Sequence, residues 1–257
     1  MQYPVKDIVD FMENWAKNSY QLSWDNSGKQ IFFEEMTNSI IIGMDVTDKL
    51  IKEAIDSNSK LIITHHPLFF GEIKNIIKGT YSGDNIINLL ENKISVFSAH
   101  TSLDIAQGGV NDSLFNKLLL KDREILAFEE EKPMGLVGTL KEPMKFKDFL
   151  QNISTELNIK NTKSYGKNPY KKIRKVALMG GAGSLFINNA KNIADVYLTG
   201  DVKYHEGQWA YENDFIVVDL GHFHSEKFVL EEIKNRILIE FPNLDMKICE
   251  NSSFELD

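Results

Sequence analysis

Ile62-Ile63-Thr64-His65-His66-Pro67 is the stretch on which the reading of this chain turns. A short apolar run ends in two adjacent histidines, and a proline then stops the strand. Neighbouring side chains on a strand point to opposite faces. Two imidazoles therefore converge on one site only where the strand is ending and the backbone turns. Pro67 also pushes His66 toward an extended conformation, which favours such an ending. The other four histidines, His100, His205, His222 and His224, come after further strand-like runs. This pattern points to a metal site built from strand ends.

Upstream, Ser39-Ile40-Ile41-Ile42-Gly43-Met44-Asp45 reads as a strand, and Thr47 or Asp48 caps the next helix, through about Ser57. Lys60 to Thr64 is the next strand. A helix near 84–92 leads to Ile94-Ser95-Val96-Phe97-Ser98-Ala99, which ends in His100-Thr101-Ser102-Leu103-Asp104. Gly108-Gly109 makes a turn, and Asn111 or Asp112 caps another helix. Before all of these, residues 4–17 carry apolar side chains at helical spacing. Trp24-Asp25-Asn26-Ser27-Gly28 reads either as a plain turn around a buried tryptophan or as a substrate contact. Apolar strands alternating with helices predict a sheet covered on both faces.

Downstream the pattern repeats. Lys175 to Met179 is a strand, Gly180-Gly181-Ala182-Gly183-Ser184 a tight loop, and a helix runs to about Asn192. Val196-Tyr197-Leu198 ends in Thr199-Gly200-Asp201. After a helix around 203–212, Phe215 to Asp219 is a strand ending in Gly221-His222-Phe223-His224-Ser225-Glu226. Each half is thus a β-α-β unit and then a third strand that ends in His-x-x-x-acid, the ordering expected of an internal duplication. The predicted fold is α/β: two duplicated three-layer halves, each on a mixed sheet, at 1–123 and 124–257, meeting at the loops beyond their strand ends, where such sheets bind ligands. The stretch 121–172 differs in texture. It holds the charge-rich run 129–133, a small strand at 134–140, a helix at 145–156 and a polar loop at 161–170.

Composition excludes several classes. A formal net charge of -8 argues against a protein whose main business is nucleic acid. The basic run Lys171-Lys172-Ile173-Arg174-Lys175 reads as a solvated lead-in to a strand. The single cysteine, Cys249, excludes an intramolecular disulfide and multi-cysteine metal sites, and reads as a small core residue. Asp7, Asp10 and Glu13 interrupt any apolar leader, and no apolar run approaches the ~20 residues of a membrane span. The expected compartment is the cytoplasm.

His65, His66, His100, Asp104, His222 and Glu226 make six candidate ligands. A catalytic ion usually takes three protein ligands and leaves a position for water. Six suit two divalent ions sharing a carboxylate, with Zn, Fe, Mn or Co matching the mixed His/Asp/Glu set. His224 is expected behind the ligands or in solvent. His205 is a candidate for substrate contact or for the plain surface, and His205 or His100 for moving protons. The glycine loop 180–184 either cradles a phosphate with its amides or is a turn that needs glycine for close packing. The first alternative makes the substrate a phosphorylated small molecule. Thr199-Gly200-Asp201 is placed to orient a metal ligand or a substrate hydroxyl.

Trp24-Asp25-Asn26, Ile63-Thr64-His65-His66-Pro67, Ser98 to Asp104, Thr199-Gly200-Asp201 and Gly221 to Glu226 together resemble the Nif-three-like family, whose members are often described as GTP cyclohydrolase 1 type 2 homologues. The resemblance runs over nearly the whole chain. It implies two intertwined α/β halves, a dinuclear metal centre and a ring-shaped homohexamer. It also implies the ligands His65, His66, Asp104, His222 and Glu226, with Glu226 as the bridge; His100 matches a position in the family's metal pocket. Ser27 stands where the family has Val, and 121–172 is too short for the extra domain that some members carry. The expected function is a metal-dependent hydrolase of a small molecule, with nucleotides among the candidate substrates, in which Glu226, His100 and His205 are the candidate catalytic residues. The runner-up is a metal-binding regulatory or scaffold protein without turnover.

Overall fold

The computed structural model of the chain describes residues 1–249, which form two compact units: Met1–Ala106 with the described residues from Leu230 onward, and Gln107–Val229. In the first unit a five-stranded sheet runs in the order Asp245–Ile248, Ser39–Gly43, Leu61–Thr64, Ser95–Ser98, Gly28–Ile31. The first four strands are parallel and the last is antiparallel to its neighbour. Every residue of the three middle strands is buried, the signature of a sheet covered on both faces. Ile41, Ile62 and Val96 pack with Leu50, Ile51 and Ala54 of the helix Asp48–Asp56 and with Leu89 of the helix Tyr81–Glu91. Thr47 is the N-cap of Asp48–Asp56, its side chain accepting from the Leu50 N–H at 3.2 Å.

The second unit carries a six-stranded sheet in the order Lys121–Glu129, Lys132–Lys145, Lys172–Leu178, Val196–Thr199, Ile216–Asp219, Lys163–Tyr165. Its three strands from Lys172 to Asp219 are parallel, and the flanking ones antiparallel. Val176, Leu178, Val196, Leu198, Ile216 and Val218 pack on one side with Phe146, Phe149 and Ile153 of the helix Phe146–Glu156. Both sheets are therefore mixed, with the same heart: three parallel strands, the third edged by a short antiparallel one. Gly28–Ile31 plays that edge role in the first unit and Lys163–Tyr165 in the second.

Several elements differ from the sequence expectations. The C-terminal strand Asp245–Ile248 pairs in parallel with Ser39–Gly43, and the Cys249 N–H donates to the Ile42 carbonyl at 2.8 Å. The chain thus leaves the first unit at Ala106 and returns to it at Leu230, a division different from a single cut at 123/124. The run of charge at Glu129 to Pro133 is a hairpin, whose turn residues Glu130 and Glu131 have φ of 48° and 63°. Two consecutive positive φ values are what a two-residue hairpin turn requires. The sequence there lacks the glycine or asparagine that normally announces it, so Lys121–Glu129 is not visible as a strand. Lys163–Tyr165 and Gly28–Ile31 are too short and too polar to show a period, and only their neighbours make them strands.

Candidate functional site

In the first unit, parallel pairing brings three strand ends level. Gly43 stands opposite Thr64, and Thr64 opposite Ser98. The ladder continues past them, with the His66 N–H donating to the Met44 carbonyl at 2.8 Å and the Ala99 N–H to the Thr64 carbonyl at 2.9 Å. Asp45, His65-His66 and His100 consequently emerge side by side at the carboxyl edge of the sheet, where α/β folds bind ligands. His65, His66 and His100 each offer a ligand atom within 4.8 Å of the others'.

Each ring is held by its Nδ1. That atom lies 2.8 Å from the Ala99 carbonyl in His65, 2.8 Å from Asp45 Oδ1 in His66 and 2.7 Å from Asp25 Oδ1 in His100. These oxygens can only accept, so Nδ1 carries the hydrogen and donates. In the neutral form of each ring the lone pair is then on Nε2, the arrangement in which metal-binding histidines are usually oriented. The acid four residues after His100 does not pair with it. Asp104, in the helix Thr101–Ile105, instead sets its Oδ1 3.7 Å from Nε2 of His65.

Asp25 ties this corner together. Its Oδ1 also accepts from the Asn26 N–H at 2.7 Å, and its Oδ2 accepts from Ser27 Oγ at 2.7 Å, Thr101 N–H at 3.1 Å and Thr101 Oγ1 at 2.5 Å. Burial pushes the Asp25 carboxyl pKa up. The hydrogen bond and charge of His100, with the hydroxyls of Thr101 and Ser27, outweigh burial and hold the group well below the usual carboxylate range. Asn26 adds a strap, its Nδ2 donating to the Phe69 carbonyl at 2.8 Å. Trp24 is exposed, not the buried anchor of a plain turn.

In the second unit the third parallel strand ends at Asp219, and Gly221, with φ of 79°, turns the chain into the five-residue helix His222–Glu226. Spacing of four on one helical turn aligns the two side chains, and His222 Nε2 lies 3.4 Å from Glu226 Oε2. His222 Nδ1 is 2.7 Å from Asp201 Oδ2. Thr199-Gly200-Asp201 therefore does orient a candidate ligand. Glu226 is buried.

The glycine loop makes room for that carboxylate. A Cβ on Gly181 would stand 2.3 Å from Glu226 Oε1, and one on Gly200 would stand 2.8 Å from the His222 nitrogen. Three of its amides are engaged within the fold: Gly180 donates to Asn111 Oδ1, Gly181 to Ser225 Oγ and Gly183 to Thr199 Oγ1, at 3.0, 2.9 and 2.9 Å. Close packing, one of the two sequence alternatives, is therefore present in the loop. Tyr197, buried and with its phenol pushed up by burial, seals the loop by donating to the Gly183 carbonyl at 2.8 Å.

His65 with Asp104, and His222 with Glu226, pose the same chemical problem. In each pair an imidazole lone pair and a carboxylate oxygen, both acceptors, face one another at 3.7 and 3.4 Å. Such atoms repel unless a cation or a proton is held with them. Two ligands at about 2.0–2.2 Å from one ion, at tetrahedral to trigonal angles, lie about 3.3–3.8 Å apart. The donor set and its spacing fit a divalent metal. His205 is elsewhere: it is exposed in the first turn of the helix Tyr204–Glu212, its ring against Tyr204 with centroids 5.5 Å apart. His224 packs against Phe223 in the same way, also at 5.5 Å. Sequence reasoning missed Asp45 and the orienting role of Asp25. For Asp45 the available signal was an acid just beyond the end of the strand Ser39–Gly43, and for Asp25 an acid in the turn before Gly28–Ile31.

Among the described residues no helix is long and apolar enough to cross a membrane. A GTP cyclohydrolase 1 type 2 homolog of Clostridium perfringens is 33% identical over 240 residues, which are 91% of this chain and 90% of that protein. The crystal structure of a Bacillus cereus protein related to NIF3 matches with a TM-score of 0.91 at 23% identity over 99% of both chains, a likeness of fold. Reduced HcgD from Methanocaldococcus jannaschii matches with a TM-score of 0.84 at 29% identity, over 96% of this chain and 98% of its own. A model of the Duf34/NIF3 (NGG1p interacting factor 3) family matches residues 3–253, and with the fold and these relatives in agreement, the chain belongs to that family.

Proposed function

We propose that this protein is a metal-dependent hydrolase of a small molecule, with two divalent ions, Zn, Fe, Mn or Co, held by His65, His66, Asp104, His222 and Glu226. The family resemblance implies that Glu226 would be the shared carboxylate. The observation that carries the reading is the anchoring of every candidate histidine at Nδ1, by the Ala99 carbonyl or by Asp45, Asp25 or Asp201. A fold stabilised by these rings alone has no need to fix the tautomer of four of them. Divalent ions bound there supply a water acidic enough to act as a nucleophile near neutral pH. The chain's own part is to orient. Asp45, Asp25 and Asp201 hold imidazoles, and the glycine loop keeps Glu226 in place. His100, whose ring is set by the strongly acidic Asp25, is the residue for proton movement, with His205 as the alternative on the exposed helix start.

The small-molecule substrate, a nucleotide or other phosphorylated compound, rests on the naming of relatives as GTP cyclohydrolase homologues. A cytoplasmic homohexamer belongs to the same reading and rests on the family resemblance. The family description as an interacting factor favours a second reading, a metal-binding regulatory or scaffold protein. Screening metal-loaded protein against nucleotides and phosphorylated metabolites, alongside Glu226→Gln, separates the two. Turnover lost in a folded variant supports the hydrolase, and a partner complex lost instead supports the scaffold. Fewer than one ion per chain in carefully prepared protein sinks both.

A further inference from the structure

Two large aromatic rings stand in water beside His100. Trp24 is 59% and Phe70 64% exposed. Both meet the His100 imidazole edge to face, with centroids 5.9 Å apart at 75° and 5.6 Å apart at 90°. The residue next to each ring is tied into the fold. Trp24 adjoins Asp25, whose carboxylate is buried among donors. Phe70 comes directly after Phe69, whose carbonyl accepts from Asn26 Nδ2 at 2.8 Å and whose N–H donates to Gln30 Oε1 at 3.2 Å. Rings of this kind bury about 150–250 Å² when packed, and holding two in solvent at fixed positions forgoes that gain. Exposed aromatic rings grouped about one imidazole offer a candidate binding surface.

We infer that Trp24 and Phe70 form a clamp for a planar heteroaromatic ring of the nucleobase class. Stacking chemistry narrows the occupant. Because both rings lie steeply inclined to the imidazole, His100 covers only part of them and much of each aromatic surface is left to solvent. Nucleobases stack on aromatic side chains whatever their sequence identity, because each has a π-face. A sugar phosphate gains no comparable contact. The clamp names the substrate class of the hydrolase proposed above and rests on that reading for the reaction, although the ring contact itself uses only residues of the first unit.

Calorimetric titration of the full chain with adenosine, guanosine and ribose 5-phosphate tests it, metal-loaded and metal-stripped, for the wild type, Trp24→Ala and Phe70→Ala. The nucleosides should bind, and each substitution should weaken them about tenfold or more while leaving metal content and sedimentation unchanged. Nucleoside affinity that is absent in the wild type, or equal in all three proteins, overturns the clamp. A substitution that changes the sedimentation coefficient but not nucleoside affinity assigns the rings to self-association and also overturns it. Metal content is read separately: nucleoside binding that survives in protein unable to hold ions supports the clamp and removes the hydrolase.

Discussion

Replacing Asp25 by Asn should loosen the His100 corner in a way that can be worked out atom by atom. The carboxylate accepts five hydrogen bonds, two on Oδ1 and three on Oδ2. An amide has one accepting oxygen and one donating nitrogen. If the nitrogen takes the Oδ2 place it faces the Thr101 backbone N–H, which cannot turn away. If it takes the Oδ1 place it faces the Asn26 N–H and His100 Nδ1, and forces the imidazole into the other tautomer. Either way one or two charge-assisted bonds of about 1.5–3 kcal/mol are lost, roughly 3 kcal/mol in all. At about 2–4 °C per kcal/mol for a chain of this size, Tm should fall by about 6–12 °C in a calorimetric scan at neutral pH. The folded carboxyl is depressed, so its contribution is fully present above the unfolded value of about 3.9 and is lost as pH falls below that toward the folded value. The difference between wild type and Asp25→Asn should accordingly shrink as pH falls below about 4. A drop of less than about 2 °C at neutral pH, or a difference that grows as pH falls below about 4, refutes this account of Asp25.

Three further outcomes rest on single contacts at the glycine loop, the histidine anchors and a helix cap. Gly181→Ala places a methyl 2.3 Å from Glu226 Oε1 at a φ of +64°; stability should fall by about 1–2 kcal/mol from the backbone alone, and the metal:protein ratio should fall with it. Asp201→Ala and Asp45→Ala remove the acceptors that hold Nδ1 of His222 and His66, and each should weaken metal binding about 10–100-fold in chelator competition. Thr47→Ala removes the cap on the helix Asp48–Asp56 and should cost about 1 kcal/mol in urea titration without touching metal affinity.

Much of the candidate site could be read before any coordinates. The His65-His66 pair, the two His-x-x-x-acid motifs and the Thr-Gly-Asp turn lie at strand ends because local rules put them there: an apolar run stops at proline, glycine or a capping residue, and the residues beyond that stop must leave the sheet. Spacing of four on one helical turn likewise fixes His222 beside Glu226 without reference to the rest of the chain. The parallel cores of both units come from strands that are apolar at nearly every position.

Other features were set only by contacts between residues far apart in sequence. Asp104 faces His65 and not His100, because the short helix after His100 turns its acid toward the neighbouring strand end. Asp25, 75 residues before His100, becomes its partner only because the Trp24 turn lies against the start of that helix. The glycine loop's packing role was decided when Asn111, Ser225 and Thr199 took its amides, and the return of the C-terminal strand to Ser39–Gly43 was decided by sheet pairing. Periodicity and capping act over a few neighbours and so are written in the chain. Which donor meets which acceptor across a sheet edge depends on register and packing, and those exist only once the chain has folded.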